Sequence, residues 1–247
     1  MSIDATKNKP QAEGVDLSWK NLYIVAAVAA LILVVFTVIQ SVVFITNPPP
    51  PGDVQGWFTL FQHNKVIGLL DMDLLLVADN LLAIPIFLAL YFILKQSAKS
   101  SMVLALMLGL VGVVTYFASN TAFQMLSLSS QYASATTDAQ RSMFLAGGQS
   151  MLTIYEGTAF YVGNFIGTVA LLMVSIIMLR NNVFSKTTAY TGIIANVLGF
   201  GLFIHNTIGL TLSIISVLCL AIWWIMIALR LFRIERLPMK YSSATQT

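Results

Sequence analysis

An all-α integral membrane bundle of six transmembrane helices is the fold class this sequence predicts, and three observations predict it. Charged residues make up 9% of the 247 and hydrophobic residues 57%, against roughly 25% charged in a soluble domain. The chain therefore lacks the polar surface that would keep it in water. Its apolar stretches lie at about 22–46, 66–94, 102–126, 150–179, 187–204 and 208–229. They suit the roughly 17–25 residues that a helix needs to cross the hydrocarbon layer. Finally, the cations gather in alternate connections. Barrel strands are excluded, because they alternate apolar and polar residues and runs such as Leu171-Leu172-Met173-Val174 do not.

The first stretch, 22–46, is expected to be a retained span. Its leader carries Asp4, Glu13 and Asp16, and its uncharged run is longer than the h-region of about 7–15 residues in a signal peptide. Pro48-Pro49-Pro50-Pro51 then forms a stiff extended segment. Val54, Trp57, Phe58 and Phe61 follow at helical spacing. They predict a short interfacial helix in this first outer loop, anchored at headgroup level by Trp57 or folded as a lid over the bundle. The second span, 66–94, carries Pro85 at its middle and is expected to kink there. The third, 102–126, presents Ala105, Gly109 and Gly112 on one face. In the third outer loop Thr136-Thr137-Asp138 signals a helix start and Gly147-Gly148 a stop, which predicts a second short interfacial helix. The fourth span, 150–179, shows Ala159, Gly163 and Gly167 at four-residue intervals, and the fifth, 187–204, shows Gly192, Ala195 and Gly199. Small residues let helix backbones approach closely in membranes, so these three spans are expected to pack together. A tight hairpin at His205-Asn206-Thr207 leads into the sixth span, whose Cys219, the chain's single cysteine, reads as a packing residue.

Charge orients the bundle. Eleven of the thirteen Lys and Arg residues fall in the tails and in the second and fourth connections, and only Lys65 and Arg141 fall on the opposite side. The positive-inside rule places both termini in the cytoplasm, with tails at 1–20 and 235–247 flanking a membrane domain at 21–234 in the plasma membrane. The lipid bilayer is thus the expected partner. The basic balance reflects topology and implies no nucleic acid.

Three motifs carry a family resemblance. Asp138-Ala139-Gln140-Arg141, Gly157-Thr158-Ala159-Phe160, and the run from Arg180-Asn181-Asn182-Val183 through Lys186-Thr187-Thr188-Ala189 to Tyr190-Thr191-Gly192 resemble a prokaryotic family of polytopic membrane proteins, the domain of unknown function 4386. The likeness spans roughly 69–229. It implies a membrane bundle and a prokaryotic origin, and it brings no activity, catalytic residue or cofactor. The Pro-rich first loop lies outside it.

The polar residues supply the candidate site. Asp71, Asp73, Asp79 and Asn80 lie in the outer part of the second span, and Asn120 and Gln124 in that of the third. Glu156 and Asn164 lie in the outer part of the fourth. At about 100° per residue, Glu156 shares the small-residue face of Gly163 and Gly167, and Tyr116, Asn120 and Gln124 step together beside the glycine face of the third span. These groups are expected to converge on one outward-opening acidic pocket, since the outer side carries six acids against two cations. Ionisable groups within a span mark functional positions by default.

Three functions follow from different classes. The pocket binds or transports a cation, proton or small solute, with Asp79 and Glu156 as ligands or proton acceptors. Alternatively, the protein is a non-catalytic accessory or sensory membrane protein whose polar groups only pack helices. Thirdly, His63 and His205 with nearby acids form the metal site of an intramembrane hydrolase, although two histidines without a short ligand spacing make a poor zinc signature. No phosphate loop, H-E-x-x-H or G-x-S-x-G motif occurs, so an enzyme is the less expected class and no cofactor is called for.

Overall fold

The computed structural model describes residues 16–236, and within them every regular element is helical. The outer parts of both expected tails lie outside the described residues. Ten α-helices follow in order: α1 (Lys20–Thr46), α2 (Val54–His63), α3 (Lys65–Asp71), α4 (Leu74–Leu94), α5 (Lys99–Ser119), α6 (Ala122–Ser134), α7 (Asp138–Tyr155), α8 (Thr158–Met178), α9 (Lys186–Gly199) and α10 (Thr207–Glu235). Five helical stretches are long and apolar enough to cross a membrane: Leu17–Thr46, Leu74–Leu94, Lys99–Ser134, Asp138–Met178 and Thr207–Glu235. The shortest long element is α9. With its 3-10 extension Phe200–Phe203 it reaches about 29 Å, close to the hydrocarbon thickness.

Six helices close into a ring. Each packs on its two neighbours in the order α1, α4, α5, α8, α9, α10 and back to α1. The seam between α5 and α8 is the closest. A Cβ added at Gly112 would stand 3.1 Å from both Gly163 O and Gly167 N, so backbone meets backbone there. The expected packing of the small faces holds for α5 on α8 and for α8 on α9. However, α9 is wedged between α8 and α10 rather than against α5. Its Gly192 admits the Trp223 ring of α10, whose Nε1 would lie 2.5 Å from an added Cβ.

Within the ring, a hydrophobic core occupies the end where α1 begins and α10 finishes. Tyr23, Ala26, Ala30, Trp223, Ile227 and Leu231 are buried there. Lys20 pairs with Glu235 at 3.3 Å, so α1 starts beside the end of α10. Asn181 donates to Ser97 Oγ at 2.8 Å, tying together the two connections at this end. Lys20, Lys95, Lys99, Arg180, Lys186 and the arginines closing α10 all lie here.

At the opposite end, α2, α3, α6 and α7 build a helical cap. Both loop stretches are helical, as α2 and as the start of α7. Their apolar faces meet each other, and Trp57, Phe58 and Phe61 are buried in the cap core with Met72, Met125 and Leu152. Ser129 of α6 donates to Phe58 O at 2.9 Å. Thr137 caps α7 in a reciprocal capping box with Gln140. Thr137→Ala should lower stability by about 1 kcal/mol, read as a lower unfolding midpoint together with faster amide exchange in the first turn of α7. The expected stop at Gly147-Gly148 does not occur, and α7 continues to Tyr155. Gly148 instead lets α2 approach, because an added Cβ would press on Val54 and Phe58. A helical glycine costs only about 1 kcal/mol, which a close packing contact offsets.

Three of the expected continuous spans are broken. The second divides at Met72 and Asp73, the third at Asn120 and Thr121, and the fourth at Glu156 and Gly157. By contrast, α4 runs unbroken through Pro85.

Candidate functional site

The three breaks meet in a belt between cap and ring. Asp73 takes the left-handed conformation, with φ at 61°, and is the only non-glycine residue to do so among those described. Aspartate tolerates this region better than most residues. Its Oδ2 accepts a 2.5 Å hydrogen bond from the Tyr155 hydroxyl. Asn120 Nδ2 donates to Met72 O at 2.8 Å, while Asn120 Oδ1 accepts from Ala122 N at 3.2 Å. Thr121 Oγ1 donates to Met151 O at 3.2 Å. Each break thus exposes backbone or side-chain groups that a neighbouring break satisfies. Tyr155→Phe should cost about 1–3 kcal/mol, because Asp73 is buried and would lose its donor. An unfolding midpoint equal to that of the wild type would show that the bond contributes nothing.

Beneath the belt the ring encloses a cavity of about 600 Å³, within the roughly 300–1,000 Å³ of small-molecule sites. All six ring helices line it and no cap helix does. Asp79 and Asn80 of α4 and Asn164 of α8 line it. Gln40 of α1, Tyr116 of α5 and Asn196 of α9 join them. Among the described residues no Lys, Arg or His lines the cavity, and Asp79 is the one carboxylate that does.

Hydrogen bonding within the lining is lopsided. Asn80, Asn164 and Asn196 each donate to the carbonyl four residues earlier in the same helix, at 2.8, 2.9 and 2.7 Å. Gln40 Nε2 donates to Leu70 O at 3.2 Å. The hydroxyls of Thr37 and Ser216 likewise donate to Leu33 O and Ala195 O. Apart from the Tyr116 hydroxyl, these amide nitrogens and hydroxyl protons are engaged with backbone, and the amide and carboxylate oxygens are the freer partners. Six buried side-chain atoms among the described residues have no hydrogen-bond partner, and three of them, Gln40 Oε1, Asp79 Oδ1 and Tyr116 OH, line this cavity. Gln40 is 8% exposed and Tyr116 4%. Orphaned buried polar groups are rare and point to a missing partner.

Other expected site residues are elsewhere. Glu156 is exposed at the end of α7. Its register with Gly163 and Gly167 does not carry across the break at Gly157, because a discontinuity resets the helical phase. Gln124 is exposed on α6 for the same reason, the break at Asn120 having turned it off the face of Tyr116. Asp71 is buried at the end of α3, and Asp73 and Asn120 belong to the belt. His63 and His205 do not meet. His63 is exposed at the end of α2, whereas His205 Nε2 lies 3.2 Å from Tyr161 OH. Among the described residues no three His, Cys, Asp or Glu side chains gather as a metal site. Gln40 was the residue that polar clustering overlooked, and its signal was present: it is the one amide side chain in the apolar run 22–46. Comparison of the chain with protein-family models, with curated proteins and with solved structures finds no match.

Proposed function

We propose that this membrane protein binds a small organic cation in the cavity of its six-helix ring, as a receptor or carrier whose polar groups gather toward the side away from the basic end. The positive-inside rule makes that the extracytoplasmic side of the plasma membrane. The observation that carries the reading is the set of three unpartnered buried atoms, Gln40 Oε1, Asp79 Oδ1 and Tyr116 OH, around one cavity. A carboxylate among free oxygens, with no cationic side chain facing it, attracts a positively charged hydrogen-bond donor and repels an anion. Phe44, Phe87, Tyr116 and Trp224 in the lining add aromatic faces, which favour cations at close range. The volume exceeds what a bare metal ion needs and suits an amine with an apolar body.

The test is a titration of the purified protein in phosphatidylcholine nanodiscs with phenylethylammonium, followed by calorimetry. Saturable binding is expected, with no binding of 3-phenylpropanoate, its anionic counterpart. Asp79→Asn keeps the shape and removes the charge, and should weaken binding at least about tenfold, or 1.4 kcal/mol. Equal affinity for the anion, or an Asp79→Asn variant that binds as well as wild type, would overturn the reading.

A further inference from the structure

The cavity has a side door. Among its lining residues, those exposed on the outside of the bundle are Ser41 and Phe44 of α1 and Leu210, Ile214, Val217 and Leu218 of α10. None belongs to α4, α5, α8 or α9. The two helices share a buried core only near the basic end, through Tyr23 to Leu33 of α1 and Trp223 to Ile234 of α10. Toward the cap neither helix contributes to that core. There α1 leans on α3, with Gln40 donating to Leu70 O, while α10 follows the 3-10 turn Phe200–Phe203, where Gly201 meets Leu212. Ile214 is 55% exposed and Leu218 61%. Both helices are long and apolar enough to cross a membrane, so the crevice between them faces hydrocarbon.

The chamber behind the door is polarised along the membrane normal. Asp79 lies about 8 Å from the start of α4, and Phe87 about 12 Å deeper along the same helix. Gln40, Asp79, Asn80 and Tyr116 form the upper part, toward the cap, whereas Leu33, Phe87, Leu171, Leu220 and Trp224 form the floor, toward the basic end. A molecule with a charged donor head and an apolar tail would sit in it as a lipid sits in the adjacent leaflet, head outermost and tail toward the bilayer centre.

The geometry points to a membrane-partitioned primary amine, an ammonium head on an alkyl tail, as the ligand class, entering sideways between α1 and α10. This deepens the cation-binding reading and rests on it. The head meets the free oxygens of Asp79, Gln40 and Tyr116. A primary ammonium brings three N–H donors to them, which a quaternary head cannot. The tail fills the apolar floor against Trp224. Entry from the hydrocarbon requires no polar path through the cap, whose core of Trp57, Phe58, Phe61 and Met72 is closed.

The experiment uses the full chain in phosphatidylcholine nanodiscs, with 10-bromodecylammonium as probe, because a brominated tail quenches nearby tryptophan. Quenching should saturate, lose most of its amplitude in Trp224→Phe, and weaken at least tenfold in Asp79→Asn. The carboxylate 10-bromodecanoate should give only the weak, non-saturating quenching of a lipid. A Ser41→Phe/Leu218→Phe double variant narrows the door at two exposed positions without touching the core, and should slow the onset of quenching at least tenfold. Full amplitude in Trp224→Phe, equal quenching by the carboxylate, or an unchanged rate in the double variant would overturn the side-door proposal. If phenylethylammonium still binds under those outcomes, the cation site stands and only the lipid-side ligand is lost. If neither amine binds, both readings fall.

Discussion

Valine at position 163 should separate α5 from α8 and lower stability by about 3 kcal/mol, the upper part of the range for overpacking. An added Cβ at Gly163 would lie 3.0 Å from Tyr116 N and 3.2 Å from Gly112 O. Both are helix backbone atoms, and neither can rotate away as a side chain would. The helices must move apart along the seam that lines the cavity, and Tyr116 moves with α5. Cation binding should therefore fail in the same variant even where it still folds. Gly167, one turn on, supplies the control. Nothing lies within 4 Å of a Cβ added there, so Gly167→Ala should keep or raise the unfolding midpoint, since alanine is favoured over glycine in a helix by up to about 1 kcal/mol. Thermal unfolding in detergent, followed by tryptophan fluorescence, reads both. Equal midpoints for Gly163→Val and wild type would refute so close a seam.

Asn120→Leu should cost roughly 2–4 kcal/mol and loosen the cap before the ring. The side chain satisfies two groups, accepting from Ala122 N and donating to Met72 O. Met72 and Ala122 are fully buried, and leaving each backbone group without a partner costs about 1–3 kcal/mol. Leucine matches asparagine in shape, so little else changes. Because the lost bond joins the break between α3 and α4 to that between α5 and α6, the cap helices lose their tether while the ring keeps its own core. Hydrogen exchange should rise first in α3 and α6, with α8 and α10 protected as before. Uniform acceleration across all ten helices would show that cap and ring unfold as one unit.

Legibility from sequence followed the range of the interaction. The membrane class was readable because span length and hydropathy are sums over adjacent residues. The start of α7 was readable from Thr136-Thr137-Asp138 because a helix cap is a local interaction, here between residues three apart. The seam between α5 and α8 was legible as glycine spacing, although its partner had to be guessed. The breaks were hidden. Apolar residues continue on both sides of Met72, Asn120 and Gly157, so hydropathy passes through each without a signal. What holds them lies far along the chain: Asn120 meets Met72 from 48 residues away, and Tyr155 meets Asp73 from 82. Angular counting then failed for Glu156 and Gln124, since a helical wheel is valid only within one unbroken helix.

Composition and periodicity alone determined that this chain builds apolar helices of membrane length, with cations gathered at one end and most acids toward the other. These are local properties, set by each segment's own solvation in lipid or water. Only the tertiary structure decided which polar groups share a chamber, because that depends on helix phase after each break and on the order in which six helices close. It joined Gln40 to Asp79 and Tyr116, and it assigned Asp73 and Asn120 to holding the belt. It also left the cap-ward stretches of α1 and α10 outside their shared core, with α1 held there by α3 and α10 by the turn that follows α9.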